Sequence, residues 1–374
     1  WFAAANLRNR FMDARELGDW LNHIKVCLLL ARAVRRLHFA GLAHSDLSYK
    51  NVLVDPSKGM ACVIDVDGLV VPGKYPPDVV GTPDFIAPEV VKTSHLAKDD
   101  ANRCLPRRET DLHALAVLIY MYLLYRHPLR GDKVHDTKDS QRDEILMMGE
   151  GALFIEHPTD SSNRIKIEYA KAAELPWKDT QKLPYTLTGA YLSPLFERAF
   201  IQGLHQPNLR PSADEWEHAL VKTVDLIQPC SNAACEQKWY VFSNSTKPVC
   251  PFCDTPFVGL LPVLNLYSSQ QEGRFLPDNQ RLMIYNNQSL YQWHSNRLVF
   301  PNERLSPEQK KRVGYFVFHQ QQWYLVNEAL PDLMNVDTKQ NIAIGDKIAL
   351  VDGQKLLLAR GEGGRLVVVQ MVSC

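Results

Sequence analysis

The sequence predicts an α+β multidomain chain: a mainly helical first region, a small four-cysteine module and a C-terminal all-β sandwich. Three observations predict it. Apolar residues recur at helical spacing through the first 226 positions, four cysteines cluster between 230 and 253, and short runs of alternating polarity take over from about 259. The boundaries follow as 1–226, 227–258 and 259–374, and a length of 374 residues suits two or three domains.

Within the first region, residues 19–38 place Trp20, Ile24, Leu28, Ala31, Val34 and Leu37 on one stripe with charges between them, an amphipathic helix. Residues 112–125 are apolar nearly all round, which predicts a central buried helix. That run is shorter than the roughly 20 residues a membrane span requires. Residues 194–204 and 212–226 read as further helices, the last opened by Ser212 with Glu215 three positions on, a capping box. Beyond 259, the runs 281–285, 290–294, 314–319, 323–326, 347–351, 355–359 and 366–371 read as strands, with Asp352-Gly353 as a hairpin turn between two of them.

Lys plus Arg number 42 and Asp plus Glu number 42, a formal charge of zero. A binder of nucleic acid or anionic membrane gains affinity from a basic excess, so neither class of partner is expected. Cys27, Cys62, Cys104 and Cys374 are scattered. That is no disulfide framework, and it points to a reducing, cytoplasmic setting.

Directly after the first helix comes His44-Ser45-Asp46-Leu47-Ser48-Tyr49-Lys50-Asn51, followed by Val52-Leu53-Val54-Asp55. Fourteen residues past Asn51 stands Asp65, in Val63-Ile64-Asp65-Val66-Asp67-Gly68. Gly81-Thr82-Pro83-Asp84-Phe85-Ile86-Ala87-Pro88-Glu89 follows, then Asp111 at the head of the apolar helix and Leu209-Arg210-Pro211 near the end of the region. In this order and spacing the motifs resemble the large lobe of protein kinases. The resemblance implies ATP and Mg²⁺ as cofactors. Asp46 becomes the base that orients the attacking hydroxyl, Asn51 and Asp65 the metal ligands, and Lys50 a cation for the transferring phosphate. His44, Asp111 and the Glu89–Arg210 pair become structural.

The departures from the family pattern also have consequences. Ser45 stands where many kinases carry the arginine that pairs with a phosphorylated activation loop, so that switch is not expected here. Ser48 replaces the lysine found two residues after the base in serine/threonine kinases, and Lys50 sits where tyrosine kinases carry arginine. The Gly-Thr-Pro run favours serine/threonine specificity. Asp67 is either a second carboxylate near the metal or a turn residue beside Gly68, and is read as the latter. Only 45 residues precede Asp46. The glycine loop, strand lysine and partner glutamate of the small lobe are therefore expected upstream of Trp1, and the chain alone is expected to be inactive. The alternative is a pseudokinase-like scaffold that docks partner proteins.

Cys230-x₄-Cys235 and Cys250-Pro251-Phe252-Cys253 are spaced to bring four thiolates around structural Zn²⁺, with iron as the other candidate. A module of this size lacks its own core, and metal binding would supply its folding energy. In the third region, Gly273-Arg274, the 290–294 run and Asn327 resemble a forkhead-associated-like sandwich, which implies phosphothreonine binding through Arg274 and Asn327. Ser289 lies five positions before His294, too far for the family's Ser-x-x-His, and Trp293 and His294 are read as core or strand residues. The whole order, including Phe154-Ile155-Glu156-His157-Pro158 and Lys238-Trp239-Tyr240, resembles the bacterial serine/threonine kinase of tellurite-resistance and stress operons. That resemblance implies protein substrates and two partners, a von Willebrand A-type protein and a metal-dependent serine/threonine phosphatase.

Overall fold

The computed structural model describes residues 14–71, 81–97, 99–243, 245, 247–271 and 273–373. Trp1, the start of the first predicted region and Cys374 lie outside the described residues. The chain divides into two compact units. One runs to Val224 and includes Ala234–Tyr240 and Pro251–Cys253, and the other takes Asp225–Ala233, Val241–Cys250 and the residues from Asp254 onward. The cysteine segment thus contributes residues to both.

The first unit is mainly helical: α1 (Trp20–Phe39), α2 (Pro88–Thr93), α3 (Arg108–Leu124), α4 (Ser140–Met148), α5 (Ser193–Glu197) and α6 (Ala213–Asp225). Asp19 caps α1 by accepting the Asn22 amide at 2.9 Å. The buried stripe of α1 is Trp20, Ile24, Cys27, Leu30, Ala31 and Val34, while Leu28 and Leu37 sit half-buried at its margin. Helix α3 is buried nearly all round, as its composition requires. It begins four residues before the apolar run because its first turn, Arg108-Glu109-Thr110-Asp111, is polar. Thr110 closes that turn, its hydroxyl accepting the Arg107 amide at 2.9 Å. The Trp20 indole donates to the Leu123 carbonyl at 3.1 Å, and Tyr120 meets Phe154, Phe196 and Phe200 edge-on with centroids 5.4 to 5.7 Å apart. Glu156 of the Phe-Ile-Glu-His-Pro run is buried, bonded to Arg126 at 2.6 Å and to the Tyr185 amide at 2.8 Å.

The helix predicted over 194–204 changes character midway, α5 passing into a π-helical turn over Arg198–Gln202 that ends with the Gly203 amide on the Arg198 carbonyl. Ser212 and Glu215 form the predicted capping box: the Ser212 amide donates to Glu215 at 2.9 Å and the Glu215 amide to the Ser212 hydroxyl at 3.2 Å. A hairpin of β1 (Val52–Asp55) and β2 (Met60–Val63), paired from Val52↔Val63 to Asp55↔Met60, follows the Asp46–Asn51 loop.

The cysteine segment carries two short strands, β3 (Ile227–Pro229) and β4 (Trp239–Val241). The rest of the second unit is sheet-rich: β5 (Leu260–Gln271), β6 (Arg274–Met283), β7 (Ser289–Tyr291), β8 (Arg312–His319), β9 (Gln322–Asn327), β10 (Met334–Asn335), β11 (Gln340–Asn341), β12 (Lys347–Ala349), β13 (Lys355–Leu357) and β14 (Arg365–Ser373). They form a six-stranded sheet, β11-β10-β13-β14-β5-β6, and a four-stranded sheet, β12-β9-β8-β7. One core takes side chains from both, among them Leu264, Leu282 and Val367 from the larger sheet and Leu290, Phe316 and Leu325 from the smaller.

Two expectations for this region are corrected. Asp352-Gly353 closes no hairpin, because β12 pairs with β9 whereas β13 pairs with β10 and β14. The turn, with Gly353 at φ 75°, instead carries the chain from one sheet to the other. The run 290–294 is not one strand. β7 stops at Tyr291 and a helical turn, Gln292–Ser295, follows, held by the Tyr291 amide donating to His294 Nδ1 at 3.1 Å.

Candidate active site

The site is assembled on the first turn of α3. The Asp111 carboxylate, near a helix N-terminus where negative charge is favoured, accepts the His44 amide at 2.7 Å, the Ser45 amide at 3.1 Å and His38 Nε2 at 3.0 Å. Two consecutive main-chain amides can converge on one carboxylate here because Ser45 adopts a left-handed backbone, φ 68°. The Ser45 hydroxyl donates to the Gly68 carbonyl at 3.0 Å, and buried His44 reaches the Ile64 carbonyl through Nε2 at 3.0 Å. The loop and the segment after β2 are thereby tied to each other as well as to α3.

Asp46 follows this anchor. Its Oδ1 accepts both the amide and the hydroxyl of Thr82, at 2.6 and 2.8 Å, and its Oδ2 accepts Asn51 Nδ2 at 3.0 Å. Asn51 Nδ2 also donates to the Asp46 carbonyl at 2.8 Å. The side-chain nitrogen of Asn51 is thus committed to the loop, leaving the side-chain oxygen Oδ1 as the atom that can ligate a metal. The Ile64 amide donates to the Asn51 main-chain carbonyl at 2.9 Å, which continues the β1–β2 pairing to the residue before Asp65. Asp65 is itself left-handed, φ 59°, with an exposed carboxylate that makes no capping bond. Asn51 and Asp65 therefore offer an amide and a carboxylate oxygen, the hard donors that Mg²⁺ takes. Asp67 is exposed in the turn Val66–Gly68. Lys50 is exposed in the turn Tyr49–Asn51, and among the described residues its ammonium makes no ion pair.

Arg210 is buried and brings both guanidinium nitrogens onto Glu89, Nη1 to Oε1 at 2.8 Å and Nη2 to Oε2 at 2.7 Å. In the sequence Thr82 stands out only within the Gly-Thr-Pro run that favours serine/threonine specificity, and its grip on Asp46 depends on a fold-level approach. Gly81, at φ 115°, permits it: a Cβ there would stand 3.4 Å from the Ser45 carbonyl and 3.3 Å from Ile86.

The four clustered cysteines are also brought together. Cys230, Cys235, Cys250 and Cys253 have sulfur atoms all within 4.8 Å of one another, and none is in a disulfide. Zn–S bonds of about 2.3 Å put tetrahedral sulfurs roughly 3.8 Å apart, so this donor set fits a tetrahedral metal ion. Each pair is turned by a left-handed residue just after it, Lys238 at φ 57° and Asp254 at φ 58°. The Lys238 amide returns to the Cys235 carbonyl at 3.3 Å, and the Asp254 amide to that of Cys250 at 2.9 Å.

Asn327 is not available to a phosphopeptide. It is fully buried, its Nδ2 donating to the Leu330 and Ile342 carbonyls at 2.8 and 2.9 Å and its Oδ1 accepting the Leu330 amide at 2.8 Å. The side chain braces a main-chain turn, and a loop asparagine in sequence carries no signal of that burial. Arg274 is exposed at the head of β6. His294 is buried and bonds Asp225 at 3.2 Å, and Asp225 also accepts Gln280 at 2.6 Å. Among the described residues, no helix is long and apolar enough to cross a membrane.

Comparison with known proteins places this geometry in a family. The model of the protein kinase domain matches residues 7–215. The chain is 34% identical over 128 residues to the death-associated protein kinase dapk-1 of Caenorhabditis elegans, a match covering 33% of this chain and 8% of that protein. It is 28% identical over 194 residues to the phosphorylase b kinase gamma catalytic chain, liver/testis isoform, of Rattus norvegicus, covering 49% of this chain and 41% of the relative. With calcium-dependent protein kinase 11 of Arabidopsis thaliana it shares 33% identity over 104 residues, 27% of this chain and 19% of that one. The chain thus spans less than half the length of each of these relatives. Because the matched stretch takes in the loop of Asp46 and Asn51, Asp65, and the Glu89–Arg210 pair, and covers more than half of the sequence, the chain belongs to the protein kinase domain family.

Proposed function

We propose that the protein transfers the γ-phosphate of ATP to serine or threonine hydroxyls of partner proteins. The observation that carries this reading is the Asp46 carboxylate, fixed on one oxygen by Thr82 and on the other by Asn51, with the free carboxylate of Asp65 following the strand that Asn51 pairs. Phosphoryl transfer asks little covalent chemistry of a protein and much positioning. Asp46 orients the acceptor hydroxyl and takes its proton. Lys50, exposed four residues on, meets phosphate charge. Kinase membership implies Mg²⁺-ATP, and Asn51 and Asp65 would hold the metal, whose bound charge neutralises that developing on the phosphates. Serine/threonine preference rests on the Gly81-Thr82-Pro83 run.

The cysteine group is proposed to hold structural Zn²⁺, giving an arrangement of kinase large lobe (1–226), zinc ribbon (227–258) and β-sandwich (259–374). The likeness of this order to the kinases of bacterial tellurite-resistance and stress operons supports a stress-signalling role in the cytoplasm. It also supports a von Willebrand A-type protein and a metal-dependent phosphatase as partners. The two-sheet unit is read as a docking or autoregulatory module, since Asn327 is spent on its own turn.

Phosphate incorporation into candidate partner proteins, compared between the full-length protein and Asp46→Asn, tests the assignment. Incorporation should fall at least about a hundredfold in the variant. Equal incorporation would remove the catalytic assignment and leave a scaffold that docks partners without transferring phosphate.

A further inference from the structure

The segment Gly81–Glu89 presents Thr82 to Asp46, so whatever holds that segment also holds the carboxylate. In kinases that order this region by phosphorylation, a new arginine–phosphate pair supplies the hold. Here the residue after His44 is Ser45, which is uncharged and whose hydroxyl is already committed to the Gly68 carbonyl at 3.0 Å.

A different set of groups grips the segment. Asp84, in its middle, has a left-handed backbone, φ 73°, a conformation a residue with a Cβ leaves unless its surroundings over-determine it. Both of its polar groups are taken. Its carboxylate receives Arg130 through Nε at 3.0 Å and again through Nη2, and its carbonyl receives His127 Nε2 at 2.9 Å. Arg130 is in turn fixed by Glu144 of α4, Nη1 lying 3.2 Å from Oε2 with a second, shorter contact from Nη2. The tautomer of His127 is dictated from the other side: Nδ1 accepts the Leu129 amide at 3.1 Å, so Nε2 carries the hydrogen given to Asp84. The next residue, Phe85, lies edge-on between Tyr49 of the catalytic loop, at 5.6 Å, and the His127 ring, at 6.5 Å.

We infer that Arg130 and His127 are positioning residues for the phosphoryl transfer proposed above, holding Gly81–Glu89 in its catalytic register without phosphorylation. Arg130 does with a carboxylate of the chain itself what an arginine elsewhere does with an added phosphate. The guanidinium fork binds Asp84 on one edge and Glu144 on another, an arrangement a point-charge ammonium reproduces only in part. His127 completes it by taking the Asp84 carbonyl, which pins the main chain as well as the side chain.

The inference rests on the kinase reading for its catalytic consequence but not for its structural one, and the test separates the two. Amide hydrogen exchange of the peptides spanning Thr82 and Phe85 is measured in full-length protein for the parent, Arg130→Ala and Arg130→Lys, each before and after phosphatase treatment. Peptides of α3 report on the global fold. The expected result is exchange at least roughly tenfold faster over 81–89 in Arg130→Ala, with α3 unchanged, an intermediate effect in Arg130→Lys and no effect of phosphatase. In the transfer assay, Arg130→Ala should lower kcat by about tenfold with the KM for ATP unchanged, and Arg130→Lys should recover part of the loss. Unchanged exchange over 81–89 in Arg130→Ala overturns the inference, as does loss of protection on phosphatase treatment or acceleration spread equally into α3. If Asp46→Asn shows that the kinase reading itself fails, the exchange result still decides whether Arg130 holds the segment.

Discussion

Arg210 and Glu89, 121 positions apart, form a two-pronged pair with Arg210 Nη1 on Oε1 at 2.8 Å and Nη2 on Oε2 at 2.7 Å. The remaining guanidinium hydrogens go to the main chain, Nε to the Gly203 carbonyl at 2.9 Å, Nη1 to that of Glu109 at 2.8 Å and Nη2 to that of Leu204 at 3.0 Å. All the donors of a fully buried arginine are spent, joining α2, the first turn of α3 and the turn after the π-helical segment. Removing one partner of such a pair strands a buried charge. Arg210→Ala should therefore cost about 3 to 5 kcal/mol. Arg210→Lys should recover little of this, because an ammonium offers three donors from a single point. Urea denaturation of the first unit's transition measures both, and a loss under about 1 kcal/mol for Arg210→Ala would show that the pair is not a main support.

How much of this was legible in the sequence depends on whether a feature is local. The loop from His44 to Asn51 could be read because phosphoryl transfer demands specific side chains at fixed spacing within one turn of chain. Ser212 and Glu215 could be read because a capping box is complete within four residues. Pairings that depend on the rest of the fold could not. Asp352-Gly353 has the chemistry of a hairpin turn, but strand partners are chosen by which faces bury, and β12 and β13 go to different sheets. Strand β5 went unread because residues 261–264 are buried on both faces and show no alternation. Thr82, Asp84 and Arg130 could be seen as residues but not as contacts of one another.

If the four thiolates hold zinc, the metal is bound to folding of the segment around them. Purified protein should carry about one zinc per chain, and Cys250→Ser, at a fully buried ligand, should carry well under half of that. Chelation should lower the thermal midpoint of the native protein and leave that of Cys250→Ser nearly unmoved. Native protein that is metal-free yet unaffected by added zinc would leave the cysteines as buried thiols. Iron in place of zinc would appear in the same elemental analysis and as visible absorbance.

The fate of Asn327 separates a bracing role from ligand recognition. Its replacement by alanine would leave the Ile342 carbonyl and the Leu330 amide without the partner Asn327 supplies, and would leave the Leu330 carbonyl only the Leu333 amide at 3.4 Å, in a fully buried place. A cost of about 2 to 4 kcal/mol to the sheet-rich unit is expected, since each orphaned buried group costs about 1 to 3 kcal/mol and relaxation recovers part of it. Asp keeps an acceptor for the Leu330 amide but offers no donor to the two carbonyls, and so should also be less stable than the parent. A variant that keeps full stability while losing affinity for a phosphothreonine peptide would overturn the bracing role.

Helix α3 carries an acid-sensitive residue in its core. His113 is buried, neither ring nitrogen has a hydrogen-bond partner among the described residues, and burial holds its pKa well below 6.5, reinforced by the charges of Arg210, His127 and His205 around it. His127 is likewise held down to about 4, chiefly by burial, although its bond to the Asp84 carbonyl pulls the other way. In the unfolded chain both titrate near 6.5. As pH falls through 6.5 the unfolded state takes up protons that the folded state refuses, so stability is full above 6.5 and declines on acidification, for His127 until about 4. Each such histidine contributes a slope of about 1.4 kcal/mol per pH unit below 6. Between pH 6 and 5 most carboxylates stay ionised, so the histidines dominate the slope there. His113→Leu removes one of the two refusals, and it replaces two unpaired buried nitrogens with apolar surface, which is neutral or stabilising at pH 7. The variant should therefore equal or exceed the parent at pH 7 and gain about 1 kcal/mol on it between pH 6 and 5, by urea denaturation at each pH. Parallel pH profiles would mean that His113 accepts a proton in the folded protein, which requires an anionic partner that its present neighbours do not provide.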